Sequence, residues 1–247
     1  MKQENLIYGF HAINRLIEIK PYQLLEIYVL SGRDDQRVST ILSWAEREGI
    51  SVQRVTKKQL DQWLSQENHQ GIAAKIRPSE LLSEPELYGL LEFVTEKPLI
   101  LILDGIQDPH NLGACLRTAD AVGAHAVVIP KDGSVALTPT VRKVASGAAE
   151  TVPVVQVTNL TRCLEKLKER GIWLMGTSAV APQSLFQTDL RGAVGIILGA
   201  EGSGMRRLTT EHCDVLMHIP MAGMVESLNV SVAAGVCLFE AKRQRIL

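Results

Sequence analysis

Pro98-Leu-Ile-Leu-Ile-Leu103 is apolar at every position, the pattern of a strand covered on both sheet faces rather than on one. Downstream of Leu103 the chain alternates between helix and strand periodicities. Residues 111–122 read as a helix, 126–129 as a strand, and 138–149 as a helix with Thr138 as N-cap and Pro139 at its first position. Residues 152–157 form the next expected strand, and 160–170 a helix stopped by Gly171. Two strands at 172–175 and 194–198, a short helix at 205–212, a last strand at 215–219 and a helix from Asn229 to about Arg245 complete the pattern. Such alternation predicts an α/β fold, a parallel sheet with helices on both faces.

Upstream the character changes. Residues 1–76 read as a separate small α/β unit, with helices at 9–19, 37–49 and 57–65 and strands at 26–30, near Val52 and at 72–76. Residues 77–97 carry Pro78, Pro85 and several acidic side chains, which predicts a linker with a short helix. The third region, 98–247, carries the alternating pattern. A chain of 247 residues suits one large domain or two small ones, and 46% hydrophobic with 21% charged residues is the balance of a soluble globular protein. No apolar run approaches the ~18 residues that cross a bilayer, and Met1-Lys-Gln-Glu-Asn-Leu6 has no signal-peptide core. Cys115, Cys163, Cys213 and Cys237 are isolated, without a CxxC, which indicates neither a disulfide framework nor a metal site and predicts a reducing cytoplasm. The net charge of −1 gives no global signal for nucleic acid, so RNA would have to be met by local basic groups.

Three loops are expected at the carboxyl ends of strands: Thr177-Ser178, Gly199 to Gly204, and Met221 to Ser227. Open parallel sheets bind ligands at that edge. Their glycines and small hydroxyls suit a flat, partly apolar ligand gripped by backbone groups. Pro220 ends a strand without offering an N–H, and Ser227, Leu228, Asn229 and Ser231 lead into the final helix. Gly199, Gly202 and Gly204 are spaced G-x-x-G-x-G, the reverse of a dinucleotide fingerprint. A second polar group opens the domain. Asn111 stands at a helix start, where capping is its simplest use, and Arg117 follows within a largely apolar helix, where a guanidinium needs a partner such as phosphate or carboxylate. Arg142, Lys143, Arg206 and Arg207 could track a nucleic-acid backbone or simply be surface charge. His11, His69 and His110 lie in or beside turns without a nucleophile partner set, and no HExxH or GxSxG occurs.

Asp108-Pro-His-Asn-Leu-Gly-Ala-Cys-Leu-Arg117, Ile197-Leu-Gly-Ala-Glu-Gly-Ser-Gly-Met205 and Ile219-Pro-Met-Ala-Gly-Met-Val-Glu-Ser-Leu-Asn-Val-Ser231 together resemble the three motifs of SpoU-type (SPOUT superfamily) RNA ribose 2′-O-methyltransferases. Ile7-Tyr-Gly-Phe-His-Ala12 to His69-Gln-Gly-Ile72 resembles the small ribosomal-protein-L30e-like RNA-binding domain of one subgroup. The resemblance spans nearly the whole chain and is nearest to enzymes acting on a guanosine in the peptidyl-transferase loop of 23S ribosomal RNA, with tRNA guanosine enzymes as neighbours. It implies a deep trefoil knot in the C-terminal domain, S-adenosylmethionine as cofactor, no metal, and a homodimer joined through the knotted domain. The general rule that chains do not thread their own loops points against the knot. The cofactor contacts implied are Thr177, Gly199, Glu201, Gly202, Ile219, Met221, Ser227 and Leu228. The catalytic residues implied are Asn111, Arg117, Glu201, Ser227 and Asn229, with Arg117 of one subunit near the other's cofactor.

The family assigns Arg117 the role of base, which conflicts with a guanidinium pKa above ~12. A clamp on a substrate phosphate that also stabilises the developing alkoxide fits the group better. Two other classes stay open on the residues alone: a non-catalytic RNA-binding protein and a nucleotide-dependent oxidoreductase.

Overall fold

The computed structural model describes residues 6–64, 69–77, 80–225 and 227–246, apart from the side chains of residues 11, 15 and 19. Expectations resting on residues 1–5, on Ser65, Pro78 and Glu226, and on the His11 side chain lie outside that set. The chain divides into two compact units, 1–79 and 80–247.

The first unit runs β1 (Leu6–Tyr8), α1 (Phe10–Ile19), a 3-10 turn (Pro21–Gln23), β2 (Leu24–Leu30), α2 (Gln36–Glu48), β3 (Ser51–Val55), α3 (Lys57–Trp63) and β4 (Ile72–Ile76). Its sheet has the order β1-β4-β2-β3, with β2 and β3 parallel and β4 antiparallel to both neighbours. Helix limits follow local chemistry. Asp35 accepts from the backbone N–H of Arg37 and Val38 to start α2, and Gly49 at φ 69° ends it. Thr56 and Gln59 form a capping box on α3. One sheet face is covered by Phe10, Ile13, Leu16, Val38, Ile41 and Ala45. On the other, Leu60 and Leu64 pack with Tyr28, whose ring meets Trp63 edge-on at 5.1 Å. The sequence pattern did not reveal β1, whose three residues are too few to show a period.

The second unit runs α4 (Glu84–Glu92), β5 (Leu99–Asp104), α5 (Pro109–Val122), β6 (Ala126–Pro130), α6 (Pro139–Ala145), α7 (Ala148–Thr151), β7 (Val154–Val157), α8 (Leu160–Glu169) and β8 (Trp173–Thr177). Then come β9 (Gln183–Ser184), a 3-10 turn (Leu185–Gln187), β10 (Val194–Gly199), α9 (Arg207–His212), β11 (Val215–His218) and α10 (Val230–Ile246). The sheet order is β7-β6-β5-β10-β8-β11-β9, and every pairing is parallel. The apolar run of β5 does what its pattern requires. Leu99, Leu101 and Leu103 enter a core shared with α5, α6 and α10, while Ile100 and Ile102 enter the opposite core under α4 and α8. Residues 80–97 pack as part of this unit: Leu87 is fully buried and Leu82 bridges to Val155 of β7.

Two local expectations are corrected. The cap of α5 is Asp108, which accepts from the His110 N–H, so Asn111 lies inside the first turn with its side chain released for other bonds. The helix expected over 138–149 is broken at Ser146 and Gly147, both with positive φ. The break lets Ala148 and Ala149 turn into the core and sets buried Glu150 against Arg142. Among the described residues no helix is long and apolar enough to cross a membrane.

Candidate functional site

The carboxyl ends of β8, β10 and β11 open into one cleft of about 990 Å³, at the upper end of the range typical of small-molecule sites. Thr177, Gly199, Glu201, Gly202, Ile219, Met221, Ser227, Leu228 and Asn229 all line it. The three loops, separate in the sequence, therefore meet because β8 sits between β10 and β11 in the sheet.

Each wall has a local cause. The hydroxyl of Thr177 donates to the Ile197 carbonyl at 3.1 Å, tying the end of β8 to β10. After β10 the chain doubles back in a tight hairpin, with Ala200 and Gly204 exchanging hydrogen bonds of 3.1 and 2.9 Å. Gly199 is required there, since a Cβ would overlap the Gly204 carbonyl carbon. Gly202 and Gly204 adopt positive φ. This hairpin leads into a helix of only six residues that starts at Arg207 rather than at the expected Met205, and so lacks the turn-to-helix cradle of a dinucleotide site. Beyond β11, the backbone N–H groups of Ile219, Met221 and Leu228 make no hydrogen bond among the described residues, which leaves them for a ligand.

At the rim three polar side chains from distant segments converge. Asn229 caps α10: its Oδ1 accepts from the Ser231 N–H at 3.0 Å and the Ser231 hydroxyl at 2.6 Å. That fixes the amide so that its NH₂ points the other way, donating to Glu201 Oε1 at 2.5 Å and to Asn111 Oδ1 at 3.0 Å. Asn111 in turn donates to the same Glu201 oxygen at 3.1 Å. Glu201 is the one carboxylate lining the cleft among the described residues, and two amides aimed at one of its oxygens fix its orientation. Ser227 lines the cleft with an exposed side chain.

Arg117 stands apart. It lies on the exposed side of α5, outside the cleft, with no side-chain partner among the described residues. The apolar helix around it therefore does not bury it, and no internal anion is needed. The other sequence candidates resolve as structure. His69 is buried, its Nδ1 accepting from Gly71 N–H and its Nε2 bonded to Asp61 at 3.0 Å. His110 is exposed on α5. Cys213, pushed up to about 11 by burial and then by the Asp214 charge, stays a neutral thiol and is no nucleophile. Among the described residues no three His, Cys, Asp or Glu side chains are grouped to hold a metal ion. Sequence reasoning missed Asp104, the buried charge that ends the apolar run of β5, and read Arg206 as a group for a nucleic-acid backbone or as surface charge rather than as the partner of that aspartate. An aspartate closing an otherwise all-apolar strand was the available signal.

These features have counterparts in known proteins. The model of the SpoU rRNA Methylase family matches residues 98–239, and that for RNA 2′-O ribose methyltransferase substrate binding matches residues 6–82. The chain is 54% identical over 245 residues to the 23S rRNA (guanosine-2′-O-)-methyltransferase RlmB of Pseudomonas putida, covering 99% of this chain and 98% of that protein. The Vibrio cholerae protein of the same name is 54% identical over 241 residues, with 98% and 97% covered. Among solved structures, the SpoU methyltransferase AviRb from Streptomyces viridochromogenes in complex with AdoMet shares the fold, with a TM-score of 0.77 at 22% identity over 98% of this chain and 90% of that one. An RNA 2′-O ribose methyltransferase aligns with a TM-score of 0.74 at 28% identity, covering 98% and 89%.

Proposed function

This chain belongs to the SpoU rRNA methylase family, and from that premise we propose that it transfers a methyl group from S-adenosylmethionine to the ribose 2′-oxygen of a guanosine in 23S ribosomal RNA. The observation that carries the reading is the Asn111–Glu201–Asn229 cluster at the mouth of a glycine-walled cleft.

The cleft fits the cofactor. Its volume admits a nucleoside with an amino-acid tail, its backbone donors at Ile219, Met221 and Leu228 are unspent, and Gly199 leaves no room for a side chain at the hairpin base. Thr177, Gly199, Glu201, Gly202, Ile219, Met221, Ser227 and Leu228 would hold it. When bound, S-adenosylmethionine supplies an electrophilic methyl on a positively charged sulfur. The chain's own groups do the rest. Asn111 and Asn229 lock Glu201 at the rim, Ser227 offers a small hydroxyl on the cleft wall, and Arg117 grips a substrate phosphate and steadies the negative charge that builds on the 2′-oxygen as its proton passes to solvent water.

Arg117 lies outside its own cleft, which supports a homodimer in which each arginine serves the other subunit's site. Exposed Val232 and Phe239 on α10, with Met224 and Val225 in the loop before it, offer an apolar surface for that pairing through the C-terminal domain. The same reading gives this domain a trefoil knot. The return of the chain after β11 to pack α10 against α5 supports it. The first unit, with its four-stranded mixed sheet between helices, takes the part of an L30e-like RNA-binding domain, residues 1–76, and 98–247 that of the transferase. Four free thiols suit a cytoplasmic enzyme.

The test is direct. Purified protein is incubated with S-adenosylmethionine and a transcript of the 23S peptidyl-transferase region, the RNA is digested to nucleosides, and 2′-O-methylguanosine is measured by mass spectrometry. Appearance of that nucleoside, absent with tRNA transcripts, is the expected result. RNA binding without methylation would instead identify a non-catalytic RNA-binding protein.

A further inference from the structure

Asp104 closes β5 with its side chain wholly buried. A carboxylate removed from water needs a full set of partners, and this one has an uneven set. Its Oδ2 accepts from the backbone N–H of Arg206 at 2.8 Å, whereas Oδ1 makes no hydrogen bond and faces Arg206 Nε at 3.6 Å. The guanidinium reaches further, donating through Nη2 to the Asp132 carbonyl at 3.1 Å in the loop after β6. Space has been cleared for it: a Cβ on Gly133 would stand 2.7 Å from Nη2. Gly105, at φ 88°, lets the loop after β5 turn away beside Ala200 and the same guanidinium. Three loops at the carboxyl edge of the sheet are thus stitched by one arginine to one buried aspartate.

Glu201 rides on what this stitch holds. Asp104 is the register partner of Gly199 on β10, and Arg206 is the residue that leaves the far end of the hairpin. Asp104 therefore grips the start and the end of the hairpin whose tip carries Glu201 toward Asn111 and Asn229. Across the hairpin neck the backbone links are the pair between Ala200 and Gly204. Exposed glycine-rich backbone of this length has high conformational entropy unless its ends are fixed.

We infer that Asp104 and Arg206 are positioning residues for methyl transfer, a buried carboxylate held by a half-exposed guanidinium, and that together they keep the Glu201 hairpin in its working shape before the cofactor arrives. The inference rests on the methyltransferase reading of the cleft and adds to it two residues that touch neither cofactor nor substrate. Pre-organisation of this kind improves ligand affinity by removing the cost of ordering the loop on binding.

Arg206→Met alone strands a buried charge and is expected to lower thermal stability. The double variant Asp104→Asn/Arg206→Met removes both charges and keeps an acceptor for the residue-206 N–H. With no ligand added, its hydrogen exchange at residues 200–205 should rise about tenfold while its melting temperature stays near that of the unmodified protein. Its S-adenosylmethionine dissociation constant, by calorimetry, should rise about tenfold, and its affinity for the 23S transcript should change less than twofold. In a Glu201→Ala background, with S-adenosylmethionine saturating, the same double change should alter turnover less than twofold, because the carboxylate that the hairpin presents to Asn111 and Asn229 is then gone. Hairpin exchange and cofactor affinity within twofold of the unmodified protein would overturn the inference and leave the methyltransferase reading standing. Failure of the unmodified protein to take up S-adenosylmethionine would overturn both.

Discussion

Asn229 does two jobs with one amide, and they can be separated. Its oxygen caps α10, and its NH₂ joins Asn111 to Glu201. Asn229→Ser keeps a good N-cap but has no second donor. Stability by urea unfolding should fall by less than about 0.5 kcal/mol, while turnover should drop by about a hundredfold, the scale for loss of one well-placed polar group. Turnover kept by the serine variant and lost only in Asn229→Ala would show that the cap alone matters. Arg117 offers a second separation, because its guanidinium is exposed and outside the cleft. Arg117→Ala should leave the S-adenosylmethionine dissociation constant nearly unchanged and reduce turnover by about a hundredfold or more. Arg117→Lys should recover little of it, because an ammonium lacks the planar two-pronged grip. Near-normal turnover in the lysine variant would rule out the clamp. Both residues were legible from motif chemistry, but their surroundings were not. Asn111 reads as a helix cap in one dimension, and only the position of Asp108 three residues earlier releases it for Glu201.

At the scale of elements, the α5–α6 contact sets how closely the helices beside the site approach. A Cβ on Gly113 would lie 2.6 Å from the Val144 Cβ and 2.9 Å from the Val141 carbonyl oxygen. Alanine ordinarily stabilises a helix interior by about 1 kcal/mol over glycine, but overpacking a close contact costs about 1–3 kcal/mol. Those two atoms belong to or adjoin the backbone and cannot swing away, so the second effect should win. Gly113→Ala is expected to lower unfolding free energy by about 1 kcal/mol in urea titration. An increase would mean that α6 yields freely. The elements themselves were largely readable, since β5, α8 and β4 follow from burial period, capping and stop signals. The break between α6 and α7 was not. Nothing in Val144-Ala-Ser-Gly-Ala-Ala149 forbids a continuous helix; the turn is imposed by the buried Glu150–Arg142 pair and by the Thr151 hydroxyl donating to Asp120 at 2.6 Å.

For the whole molecule, three buried thiols report on cooperative unfolding. Cys115, Cys163 and Cys237 are each pushed up to about 12 from 9.0, chiefly by burial. A group whose folded pKa is raised contributes stability that is present below its unfolded value and lost as pH rises through the folded one. These thiols therefore favour the folded state at neutral pH, and that contribution declines between pH 9 and 12. At pH 8 their alkylation by iodoacetamide should require unfolding, and S-adenosylmethionine at a hundred times its dissociation constant should slow it about a hundredfold. Rapid labelling unaffected by the cofactor would refute either the burial or the binding.

Sequence alone determined the alternation of strands and helices, the double-sided burial of β5, the glycine-walled loops and the family they resemble, because each is written in short windows of residue type and period. Tertiary structure decided that Asn111, Glu201 and Asn229 share hydrogen bonds across separations of 90 and 118 residues, that Arg117 faces outward, and that Asp104 holds Arg206. Those outcomes depend on strand order in the sheet, which places β10 between β5 and β8. Strand order is a compromise among all the long-range contacts at once, and no local pattern contains it.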